Sequence, residues 1–180
     1  LVVDRTKVLG SDAQALASLA ATGDSADVLA HASWLEVLGR ESLTRRFYRT
    51  LESVVANVAD EAQSDAPAAD RHELALLHLS RLLFLSFLET KGWLNGDRRF
   101  LENGFAACMD RGGSYHRRVL RPLFFGTLNT PVAARAPAAR AFGAVPFLNG
   151  GLFAPAPLER KWPRLAFSDA SLGRAFGELF

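Results

Sequence analysis

The chain has 180 residues and a mass of 19.6 kDa, with 49% hydrophobic and 22% charged residues, the make-up of one globular domain or a domain with an appendage. That composition excludes a polar disordered chain and a collagen-like one, and the single cysteine, Cys108, excludes an internal disulfide and a cysteine zinc cluster. The net charge of +2 hides a split: residues 1–96 carry 9 basic and 13 acidic groups, net −4, and residues 97–180 carry 12 and 6, net +6.

Helix-capping residues and glycines punctuate the chain. Ser11-Asp12 caps an expected helix through Ala21, ended near Gly23, and Asp24-Ser25 caps a second through Trp34 and Leu38 to Gly39. Leu43, Phe47, Leu51, Val54, Val55 and Val58 recur at helical spacing and predict a third, with Arg45, Arg46 and Arg49 opposite its apolar stripe. Residues 63–69 read as a loop. A fourth helix is expected from Asp70 to Lys91, stopped by Gly92. Its leucines and phenylalanines cover nearly every face, so neighbours should surround it. Arg81 inside it must pair with a carboxylate or snorkel to an edge.

Asn95-Gly96 marks a turn, and Asp97 is expected to cap a helix carrying Phe100, Leu101, Phe105, Cys108 and Met109, ended by Gly112-Gly113. The next helix starts near Ser114 and carries Val119, Leu120, Leu123, Phe124 and Leu128, with Pro122 kinking or restarting it. Residues 130–137 read as a loop. Val145 to Phe153 is an apolar-turn-apolar unit in which Asn149, Gly150 and Gly151 form the turn, because these residues tolerate positive φ. Ser168 caps a last helix carrying Leu172, Phe176, Leu179 and Phe180, with Phe167 placed to staple onto Leu172. The expected fold is all-α, an irregular multi-helix bundle with a small hairpin-like or irregular element near 145–153. Residues 1–41 form an N-terminal helical appendage, 42–143 the bundle core, and 144–180 a tight turn and helix leading toward a further domain.

The sequence carries little catalytic chemistry. Gly150-Gly151 is followed by Leu152-Phe153 and prolines, which makes no phosphate cradle. His31, His72, His78 and His116 share no metal-ligand spacing and read as surface or core-edge residues. Cys108, on an apolar stripe, reads as inert packing. Ser86 and Ser114 lack a nucleophile elbow, and no second carboxylate is fixed beside Glu89. No catalytic residue and no metal ligand is assigned. The stretch Leu74 to Leu88 is shorter than the ~20 residues of a membrane span. With no export signal, a cytoplasmic protein is expected. The chain begins on Leu1 rather than Met and ends on the apolar Phe180, so a piece of a longer polypeptide is expected.

Three phrases, in order, carry a resemblance: Leu43-Thr44-Arg45-Arg46-Phe47-Tyr48; Arg81 to Leu94, reading RLLFLSFLETKGWL; and Val145 to Phe153, reading VPFLNGGLF, preceded by Pro122 to Asn129. Together they resemble the helical region just before the methyltransferase domain of type IIG-like restriction-modification enzymes, and phage-defence adenine-specific DNA methyltransferases related to them. The resemblance covers about residues 42–180. It implies a parent in which an upstream nuclease or other module and a downstream domain using S-adenosylmethionine to methylate adenine N6 are joined by this region, which helps clasp DNA. The chain itself has no Asn-Pro-Pro-Tyr motif and no Pro-Asp followed by Glu-x-Lys. No catalytic residue of the family therefore has a position here.

The expected role is a non-catalytic connector, with Arg45, Arg46, Arg49, Arg117, Arg118 and Arg121 as candidate DNA contacts. Arginine's planar fork suits phosphate, although each cluster also reads as a solvated face. A helical protein-interaction module without a nucleic-acid role is the alternative. A small-molecule sensor rests only on Trp34, Trp93 and Trp162, which also read as packing in or beside the core.

Overall fold

A computed structural model describes the backbone from residue 28 to 180, apart from position 149, and side chains from residue 44. The helix expected from Ser11 lies outside the described residues. The chain divides into two units, Leu1–Arg49 and Thr50–Phe180.

Helix α1 runs unbroken over Val28–Asp60. Gly39 therefore does not end a helix, as its type suggested; a mid-helix glycine costs about 1 kcal/mol relative to alanine, which a long helix absorbs. In the second unit the apolar stripe behaves as expected from Leu51 onward: Val54, Val55 and Val58 are buried and Leu51 packs against them. In the first unit the rings of Phe47 and Tyr48 meet edge-on with centroids 5.9 Å apart.

Helix α2, Ala68–Thr90, is the axis of the second unit. It ends where expected: Gly92 takes φ +73°, a left-handed conformation that glycine adopts without a Cβ penalty, and its amide closes on the Glu89 carbonyl. Leu74, Leu79, Leu82, Leu85 and Leu88 are buried in one cluster with Leu120, Leu123, Phe124 and Leu128 of the following helices, Phe153 and Leu172. The expectation that α2 is enclosed on all sides needs correction. Leu76, Phe84 and Phe87 are exposed, as is Trp93 just beyond the helix.

Helix α3 spans Phe100–Met109. Asp97 does not cap it directly: its carboxylate accepts from the Arg99 amide and the Asn103 side chain, and the amide of Leu101 is taken by Glu89 at the end of α2. Two consecutive π-helical segments follow, His116–Leu120 and Pro122–Leu128. Pro122 opens the second of them. It has no amide to donate, so the first turn of a helix is where its ring is tolerated.

The stretch after residue 130 is folded more tightly than a loop, with a 3₁₀ turn at Val132–Ala134 and a short helix α4 at Pro137–Arg140. Arg135 between them is buried and donates to the carbonyls of Thr130 and Val145. Near 145–153 the irregular reading holds and the hairpin does not. Gly151–Phe153 is a 3₁₀ turn, Gly150 is extended at φ −146°, and the Leu148 amide bonds to Leu128. Neither Gly150 nor Gly151 uses positive φ, and Asn149 lies outside the described residues. Helix α5, Pro157–Lys161, and helix α6, Asp169–Leu179, complete the unit. Ser168 caps α6 through the Ser171 amide, as its position predicted. The described residues form an all-α, multi-helix fold with one isolated antiparallel bridge, Gln63 to Ala166. No helix among them is long and apolar enough to cross a membrane.

Candidate nucleic-acid interface and a buried polar node

The six candidate arginines fall in different units. Arg45, Arg46 and Arg49 are exposed on α1 in the first unit. Arg117, Arg118 and Arg121 lie on the π-helical stretch of the second, and each is already engaged. Arg117 donates to the Arg164 carbonyl at 3.1 Å, Arg121 to the Pro163 carbonyl at 3.0 Å, and Arg118 to the Arg111 carbonyl at 3.0 Å. The excess of positive charge after residue 97 is thus partly turned onto backbone oxygens. A guanidinium carries five N–H donors, so one such bond leaves most of them for another acceptor.

Beside Arg117 lies an open groove of about 430 Å³, lined among others by Arg164, Trp162, Gln63, Ser64 and Asp65. The sequence reading missed Arg164 and the loop bearing it. The only signal available was a basic residue between Pro163 and an apolar run, which is not distinctive. The loop is held by Asp70 of α2, which accepts from the Trp162 indole N–H at 2.6 Å and from Lys161 Nζ at 2.9 Å. These two hydrogen bonds hold the Asp70 carboxyl below the usual carboxylate range. A second cleft, about 540 Å³, lies between α3 and α6 and is lined among others by Phe105, Phe176, Phe180, Glu89 and Arg98. Partial burial pushes the Glu89 carboxyl up, against the Leu101 amide that favours its charged form.

Arg81 proves to be the centre of the second unit. It is 0% exposed and pairs with Glu159 in a fork, Nη1 to Oε1 at 2.7 Å and Nη2 to Oε2 at 3.0 Å. Its Nε donates to the Leu152 carbonyl and its Nη2 also to Ala154, while the guanidinium lies 5.2 Å from the Phe124 ring centroid. Of the two alternatives for Arg81, the carboxylate partner is the outcome. The residue that supplies it lies 78 positions away.

Two histidines join this node. The reading of His78 and His116 as surface or core-edge residues is corrected: both are 2% exposed, with Nε2 atoms 3.1 Å apart. His78 Nδ1 sits 2.9 Å from the Leu74 carbonyl, which can only accept, so His78 carries its proton on Nδ1. Its Nε2 then accepts from His116 Nε2–H, and His116 Nδ1 is left without a partner. Burial, reinforced by Arg81, holds His78 near pKa 3; burial and the neighbouring imidazole hold His116 near 2. Both are neutral, so the 3.4 Å approach of Glu159 Oε1 to His78 is no ion pair. Phe167 closes over both rings, 5.0 and 5.1 Å away.

Cys108 is buried, its thiol donates to the Gly113 carbonyl, and burial pushes its pKa up, the environment of an unreactive cysteine. Trp93 is 57% exposed rather than packed in the core; the side chain of Trp34 lies outside the described residues. Among the described residues no group of three or more His, Cys, Asp or Glu is placed to hold a metal ion.

No family model matches the chain, and no solved structure matches it. One similar protein comes from Methanocaldococcus jannaschii and is named as a type II restriction enzyme and methyltransferase, an assignment its name marks as provisional. It is 36% identical over 98 residues, which cover 52% of this chain and 8% of the relative's own length. The chain thus spans a small part of the protein it matches, and the match supports a restriction-modification relationship.

Proposed function

We propose that the chain is a non-catalytic helical connector within a restriction-modification polypeptide of the type IIG kind, holding an adenine-N6 methyltransferase domain in register and clasping DNA without reading its sequence. The observation that carries this reading is the match to a protein named as a restriction enzyme and methyltransferase. The arginine-rich faces fit the clasping part. Arg117, Arg118 and Arg121 are fixed by backbone carbonyls and keep further donors for phosphate, and Arg45, Arg46 and Arg49 are exposed on α1. S-adenosylmethionine belongs, in this reading, to the methyltransferase domain. Gly150-Gly151 leads into a 3₁₀ turn instead of joining a strand to a helix, so these residues do not fit the cofactor. In the cell such a protein acts on DNA in the cytoplasm and serves phage defence.

The test is duplex binding by the 180-residue chain, followed by fluorescence anisotropy. Duplexes of unrelated sequence are expected to bind alike, with affinity falling steeply between about 50 and about 200 mM salt as condensed counterions are displaced. No binding at the lower salt overturns the clasp. The exposed apolar row Leu76, Phe84, Phe87 and Trp93 favours a second reading, a protein-interaction module. It takes over in that case.

A further inference from the structure

The loop Trp162–Ala166, exposed at Pro163 and Arg164 and buried at Leu165 and Ala166, is fastened from several directions. Asp70 holds the Trp162 indole, Arg121 holds the Pro163 carbonyl, Arg117 holds the Arg164 carbonyl, and Gln63 pairs with Ala166 through N–O distances of 2.8 and 3.4 Å. The Arg164 side chain is exposed, and among the described residues no carboxylate forms an ion pair with it. A rigid loop therefore presents an uncommitted guanidinium at the groove that Arg117 also lines. One carboxylate also lines the groove, Asp65, which is exposed.

We infer that this groove seats a single phosphodiester of a nucleic-acid backbone, with Arg164 and Arg117 as its contacts and Asp65 as a counter-charge that keeps the affinity low. The charges select the ligand. Two guanidiniums and one carboxylate leave the groove at +1, which matches a monoanionic diester better than a dianionic phosphomonoester or free phosphate. The groove is open rather than enclosed, as a continuous strand requires, and the Trp162 ring offers an apolar wall beside the charges. Arg164 thus joins the candidate contacts, whereas Arg121, which is not among the groove's lining residues, braces the loop through the Pro163 carbonyl. The inference rests on the DNA-clasping reading and places its seat.

The chain, R164Q and D65N are compared for binding a fluorescent duplex across a salt series, with circular dichroism confirming the fold. R164Q is expected to lower affinity about tenfold and to flatten the salt slope by about 0.9, the loss of one phosphate contact. D65N is expected to raise affinity several-fold. Inorganic phosphate should compete no better than chloride at equal ionic strength. If the chain binds duplex but R164Q leaves affinity and slope unchanged, or D65N weakens binding, the seat is elsewhere and the clasping reading stands. Efficient competition by inorganic phosphate overturns the diester. Absence of any duplex binding at low salt removes the clasping reading, and the seat with it.

Discussion

Arg81 shows how much structure one buried charge can organise. Taking a guanidinium out of water costs several kcal/mol, and only good geometry with complete hydrogen bonding repays it. Glu159 supplies the charge, and the carbonyls of Leu152 and Ala154 take further donors. The contacts tie the 3₁₀ turn after Gly150 and helix α5 to the middle of α2. Arg81→Met alone should destabilise the unit by about 3–5 kcal/mol, because Glu159 would remain buried without its cation. Adding Glu159→Leu should recover part of that loss, which urea unfolding of the single and double variants measures. The need for this pair was legible, since a charge inside a leucine-rich helix has few options. Its partner was not, because Glu159 sits in a five-residue helix whose sequence carries no sign of burial. The histidines were misread for a related reason. His78 and His116 have no spacing in common, and only the packing of the π-helical stretch on α2 brings their rings together.

Two helix starts in this molecule are satisfied by carboxylates from other helices. Glu89 of α2 takes the Leu101 amide in the first turn of α3, and Asp169 at the start of α6 takes the amides of Ser114 and Tyr115 at 2.6 and 2.7 Å. Such caps leave no local signature, which is why Asp97 reads as the cap of α3 and the next helix as starting near Ser114. Ser114 in fact has φ +72°. Gly113 beside it is required twice over, by φ +75° and by Asp169 Oδ2, which would lie 2.5 Å from an added Cβ. Asp169→Ala should therefore destabilise by about 1–3 kcal/mol through unpaired amides at the head of the π-helical stretch.

The open face of α2 tests a different point. Leu76, Phe84 and Phe87 share one side of the helix, and the hydroxyls of Ser80 and Thr90 fold back onto the Leu76 and Ser86 carbonyls. Apolar periodicity was legible there, but which apolar face meets the core was not, since nearly every position qualifies. Leu79→Ala, at 0% exposure, should cost about 2–5 kcal/mol. Phe87→Ser, half exposed, should stay within about 1 kcal/mol of the parent in the same unfolding assay.

At the largest scale, the histidine pair makes the stability of the second unit depend on pH. His78 and His116 are held near pKa 3 and 2, below their ordinary 6.5, so the unfolded chain binds more protons than the folded one between those values. Stability from these two groups is complete above pH 6.5 and is lost as pH falls through the window toward 3. The charges facing them do not reverse the sign. Arg81, Arg117 and Arg121 oppose protonation, and Glu159, which favours it at His116, is already matched by Arg81. Glu89 acts oppositely: its raised pKa contributes stability at low pH that is lost as pH rises through the folded value, and this offsets part of the slope at the acid end. Between about pH 6 and 5 each histidine can contribute up to about 1.4 kcal/mol per pH unit, so the pair sets a limit of about 2.7. Urea unfolding at steps across that range should show midpoints falling with acidity, and His78→Gln with His116→Gln should flatten the dependence whatever it does to the absolute stability. Midpoints that hold steady from about pH 6 to 5 and fall only at about pH 4, the ordinary carboxylate range, would assign the acid sensitivity to the carboxylates instead.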